Sequence, residues 1–121
     1  MARFRRMVER LYQTDEGRLA EETREWAGGL PGVALLQDVP ERGRTKLAGA
    51  VRRITIRPVK GFDALDVLLS DGTGEVWVTW LGRRSIPGLT LGSHLVVEGV
   101  LGRAGGRRTM VNPTFEFAEA E

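Results

Sequence analysis

Residues 65–82, Leu-Asp-Val-Leu-Leu-Ser-Asp-Gly-Thr-Gly-Glu-Val-Trp-Val-Thr-Trp-Leu-Gly, alternate on both sides of a glycine-rich turn. Leu65, Val67 and Leu69 alternate with Asp66, Leu68 and Ser70; beyond the turn, Val76, Val78 and Trp80 alternate with Trp77, Thr79 and Leu81. A period of two belongs to a sheet with one face in a core. Asp71-Gly72-Thr73-Gly74 supplies the reversal, because glycine adopts the positive φ angles that a tight turn needs. Such a chain must fold around a sheet. The pattern puts Val76, Val78 and Trp80 inside and leaves Trp77 and Thr79 on the opposite face.

At 121 residues the chain is long enough for one domain and an appendage. Hydrophobic residues make up 41% and charged residues 28%, so a genuine core is expected. With no cysteine, disulfides and thiolate metal sites are excluded, and a cytoplasmic location is the default expectation. The N-terminal stretch is interrupted by arginines and reads as neither signal peptide nor membrane span. The net charge of +2 hides an asymmetry. Residues 1–42 hold 7 arginines and 8 acids, whereas residues 43–114 hold 11 lysines or arginines against 5 acids. A basic middle between acidic ends points to a polyanionic partner for the middle alone. Solubility is the competing explanation, and the ratio of 16 arginines to 2 lysines can reflect genome composition.

Phe4, Met7, Val8, Leu11 and Tyr12 share one face of a helix. A second helix is expected from Asp15 to Ala27, capped by Thr14 or Asp15 and ended by the linker Gly28-Gly29-Leu30-Pro31-Gly32. From Arg44 the pattern is β. Leu47–Ile56 forms a first strand with a bulge or bend at Gly49, and the hairpin forms the second and third. Residues 83–91 cross over, with one helical turn allowed for. Leu95–Leu101 makes a fourth strand, and Arg107–Phe117 a fifth, interrupted at Asn112-Pro113. Five strands with a crossover after the third match a Greek-key OB-fold barrel, an all-β fold that here carries an N-terminal helical appendage. The expected division is a helical segment and linker, residues 1–43, and the barrel, residues 44–121.

Leu69-Ser70-Asp71-Gly72-Thr73-Gly74-Glu75-Val76 resembles the Asp-x-Thr-Gly-x-Ile/Val hairpin of nucleic-acid-binding OB domains. That group includes anticodon-binding domains of some tRNA synthetases and the wedge domain of a bacterial fork-reversing helicase. Gly92-Ser93-His94-Leu95-Val96-Val97-Glu98-Gly99 is similar to the group's fourth strand. With Trp80-Leu81-Gly82-Arg83-Arg84 and Met110-Val111-Asn112-Pro113, the chain also looks like small stand-alone bacterial OB-fold proteins. The resemblance implies a ligand strand lying across strands two and three, gripped by the loops Arg57–Asp63 and Arg103–Arg108.

Binding there needs cations for phosphates and flat side chains for bases. The candidates are Arg52, Arg57, Lys60, Phe62, Trp77, Thr79, Arg83, Arg84, Arg103, Arg107 and Arg108. Trp77 is the first choice for stacking, against the alternative that the helices cover it. Adjacent Arg52 and Arg53 cannot both point outward on a regular strand, so one is expected to face outward and the other to sit at a twist or bulge; the two readings of the pair are contact with phosphate and pairing with Asp66 or Glu75. Asp66 would repel phosphate unless an arginine neutralises it. Asn112 is a base-edge or turn residue; Trp26 is expected to pack its helix on the barrel, and Phe115 and Phe117 to be core.

Nothing assembles a reaction centre. His94 is the only histidine, Ser85 and Ser93 lack a nucleophile elbow, and Gly102-x-x-Gly105-Gly106 opens no helix. The acids show no metal-cage spacing, and no cofactor or metal is expected. The expected function is non-catalytic binding of single-stranded nucleic acid, DNA before RNA, with low sequence specificity and no membrane partner. The alternative is a protein-interaction module that docks, through its helices or barrel face, onto a DNA repair or replication factor.

Overall fold

A computed structural model describes the backbone of residues 2–118 and the side chains of residues 15–118. Helix α1 (Ala2–Gly28) precedes β1 (Gly43–Val59), β2 (Phe62–Ser70), β3 (Glu75–Leu81), β4 (His94–Ala104), β5 (Arg107–Val111) and β6 (Thr114–Ala118). The sheet order β1-β2-β3-β5-β4, closed by a β1–β4 pairing, is the ring of an OB-fold barrel. The first half of β1 pairs antiparallel with β4, from Gly43↔Leu101 to Ala50↔His94, and the second half pairs with β2. The parallel β3–β5 contact completes the ring at Trp77↔Thr109, Val78↔Met110 and Thr79↔Val111.

Inside the ring, the alternating apolar residues meet as expected. Leu65, Val67, Val76, Val78, Leu95, Val97 and Met110 are all buried in one cluster. Each such side chain contributes about 1.5–3 kcal/mol by leaving water. Trp80 joins them, its Nε1–H donating to the Pro113 carbonyl (3.2 Å) and its ring meeting Phe115 edge-on. Leu36, from the segment between helix and barrel, and Ile86, from the crossover, complete the cluster.

Several local expectations change. The helix runs through Thr14 and Asp15 as one element rather than two. No proline interrupts residues 2–28, and an exposed Gly17 costs only about 1 kcal/mol. The apolar face of residues 4–12 lies outside the described side chains. The crossover is a set of turns with no helical turn. The two gripping loops are two-residue turns, Lys60-Gly61 and Gly105-Gly106, on strands longer than expected. Asn112 adopts a positive φ of 50° and, with Pro113, divides the expected fifth strand into β5 and β6. Strand β6 leaves the ring to pair with the start of β4, so Phe117, expected in the core, is largely exposed. Gly49 lets the Ser70 carbonyl oxygen come within 2.9 Å of where a Cβ would stand, while the register break falls at Val51/Arg53.

Candidate nucleic-acid interface

Register places the outward side chains of four strands side by side. On β3 they are Glu75, Trp77, Thr79 and Leu81; opposite them on β2 are Ser70, Leu68, Asp66 and Ala64. Strand β1 adds Arg53, Thr55 and Arg57 beside Leu68, Asp66 and Ala64. Strand β5 adds Thr109 and Val111 opposite Trp77 and Thr79, with Arg107 one pleat further along. Trp77 therefore stands mid-sheet and is half-buried. The Arg107 guanidinium lies 4.7 Å from its ring centroid, a cation–π contact. Arg53, Leu68, Glu75 and Arg108 surround this pair and line a shallow depression of about 380 Å³.

The middle of the face is a closed polar cluster. Arg57 Nε donates to Asp66 Oδ2 at 2.8 Å, and the Thr79 hydroxyl donates to Asp66 Oδ1 at 2.7 Å. Burial pushes the Asp66 carboxyl up, but the hydrogen bonds from Arg57 and Thr79 and the charges of Arg57 and Arg107 outweigh it and hold the pKa below the ordinary value. Asp66 is thus neutralised by Arg57, which in turn is partly committed to it. Thr79 is buried, its hydroxyl already used. Beyond this cluster the face turns apolar, with Leu81, Val111 and Phe62 all substantially exposed.

The other candidates disperse. A β-bulge leaves Arg52 without a Cα partner on β2 and puts Arg53 on the Trp77 face. Two adjacent arginines were the only sequence signal for it, and they could not say which one would slip. Lys60 is exposed at the β1–β2 turn. Arg84 pairs with Asp63 at 3.0 Å, and Arg83 lies 5.8 Å from the Phe115 ring. Arg103 bridges Glu41 (3.1 Å) and the Gly106 carbonyl (3.0 Å). Arg108 reaches the depression but donates to the Leu36 carbonyl at 2.7 Å. Asn112 is structural: its Oδ1 accepts from the Leu81 N–H, and its own N–H donates to the Thr79 carbonyl.

The depression around Trp77 is lined by strand residues, with no described side chain of α1 among them. The C-terminal end of α1 meets the barrel where Trp26 lies edge-on to His94 at 4.6 Å. Among the described residues no group of three or more His, Cys, Asp or Glu side chains could hold a metal ion, and no helix is long and apolar enough to cross a membrane.

No family model matches the chain, and no curated protein matches it significantly. A solved structure does: RecG bound to a three-way DNA junction, with a TM-score of 0.62 at 17% identity, over 72% of this chain. The chain corresponds to only 13% of the RecG chain's length. At that identity the likeness concerns architecture, and it agrees with the barrel read from strand order: the chain is built on the OB-fold.

Proposed function

We propose that this chain binds single-stranded nucleic acid, without catalysis and with little sequence preference, across the face centred on Trp77. The observation that carries the reading is the Trp77–Arg107 pair: an indole plate held mid-sheet under a guanidinium, beside Arg53 and Arg108. Every base has a π-face, so such a plate accepts any of them, and the flanking cations meet the phosphates. From Leu68 beside Trp77 to Phe62 is six residues along β2, a span of roughly 20 Å, which allows Phe62 and Lys60 to meet the same strand further along. DNA is favoured over RNA because the structurally similar RecG was solved on a DNA junction.

The test is a titration of fluorescein-labelled oligo-dT and oligo-U at low and high salt, repeated with Trp77→Ala. The expected result is salt-sensitive binding, tighter for oligo-dT, that weakens roughly 5- to 150-fold in the variant, the equivalent of about 1–3 kcal/mol for one stacked base. Binding indifferent to the substitution places the site elsewhere. No binding at low salt overturns the reading in favour of the protein-interaction module.

A further inference from the structure

Strand β1 is half in the ring and half out of it. Its first half has β4 on one side, and beyond Ala50 it pairs with β2 alone. The last backbone bonds on the other side join Val51 to Gly92 and Ser93. From Arg52 to Pro58 every residue is exposed, and no described backbone group pairs with the outer edge. The hairpin register says which groups point there. Val59 and Phe62 flank a two-residue turn and form a hydrogen-bonded pair, so Arg57, Thr55 and Arg53 also face β2. Ile54, Ile56 and Pro58 then direct their backbone outward, and Pro58, having no N–H, fits that parity.

The side chains along this edge separate into two rows. Ile54 and Ile56, 37% and 44% exposed, lie on the core side with Val67 and Leu65. Arg53, Thr55 and Arg57 lie on the outer side. Among the described residues Arg52 and Arg53 make no ion pair, whereas Arg57 holds Asp66. We propose that the free edge of β1 at Ile54–Ile56 accepts an extended acidic segment of a partner protein as an added strand. Strands stand about 4.8 Å apart, so the added strand would set apolar residues beside Ile54 and Ile56 and a carboxylate beside Arg53, the cation of this row that holds no carboxylate among the described residues. The partner motif is therefore alternating acidic and apolar. A second copy of this chain fits poorly, because β1 against β1 brings arginine rows together, and like charges on facing strands are destabilising. This edge shares Arg53 with the proposed nucleic-acid face but does not include Trp77, so a change at Ile56 tests it without touching the stacking residue.

The probe is a fluorescein-labelled peptide, Glu-Ile-Glu-Val-Glu-Ile-Glu, titrated into the full chain by anisotropy and by backbone amide shifts. Binding is expected, with the largest shifts at Ile54 and Ile56. It should weaken roughly tenfold or more in Ile56→Pro, which removes an outward N–H and no β2 hydrogen bond. Oligo-dT affinity and thermal stability of that variant should be unchanged. A peptide N-methylated at alternate residues, and one with Lys for Glu, should fail on the wild-type protein, a control independent of how the variant folds. Equal binding of the N-methylated peptide, shifts centred on other residues, or sedimentation as a dimer through this edge would each overturn the proposal.

Discussion

Both carboxylate oxygens of Asp71 accept hydrogen bonds from within the protein. Oδ1 takes the Thr73 N–H (2.8 Å), the Thr73 hydroxyl (2.7 Å) and the Gly74 N–H (3.1 Å), while Oδ2 takes the Leu36 N–H (2.7 Å). The residue is 1% exposed, so nothing else can satisfy those donors if it is removed. Asp71→Ala should lower unfolding free energy by about 3 kcal/mol, since bonds to a charged acceptor contribute roughly 1.5–3 kcal/mol each and do not add fully. Asp71→Asn should cost less; urea denaturation of both variants checks the order. The turn was legible from Asp-x-Thr-Gly, but the need for a carboxylate was not, because its fourth donor comes from a residue 35 positions earlier. Arg57 shows the same limit: its arginine was visible as a cation, its bond to Asp66 only through the β1–β2 register.

At the scale of elements, α1 meets the barrel closely at Gly72 and at His94. Gly72, at a φ of 88°, lies under the helix so closely that a Cβ there would stand 2.1 Å from the Ala20 carbonyl oxygen. Trp26 meets His94 edge-on, and burial holds the His94 pKa below its usual 6.5. The unfolded chain therefore binds a proton that the folded one resists, so the contribution is complete above pH 6.5 and is lost as pH falls through the lowered folded value. Thermal scans should show stability dropping on acidification from pH 7 to 5, and the slope should flatten in His94→Gln. Acid protonation of Asp66 acts only at lower pH, since its pKa lies below 3.8. That Trp26 packs its helix on the barrel was expected from the sequence. Its partner, more than sixty residues on, was not.

On the scale of the whole molecule, the basic surplus of residues 43–114 does not gather into one patch. Arg57, Arg84 and Arg103 are tied to carboxylates, and Arg108 to a carbonyl. That leaves Arg53 and Arg107 as the cations best placed beside Trp77 to meet phosphate. Binding of oligo-dT should therefore show a modest salt dependence, its log–log slope rising by about 0.7 per phosphate contact. Arg53→Gln should flatten the slope by about that amount, whereas Arg84→Gln should leave it unchanged; titrations at four salt concentrations separate the two. Alternation between Leu65 and Leu101 was sufficient to establish strands, their inward sides and a crossover, because a period of two is written in adjacent residues and burial rewards only one face. The fate of each charge depended on closure of the barrel. Arg103 and Arg108 find their partners 62 and 72 positions away, and such distances in the chain become neighbours only once the ring has formed.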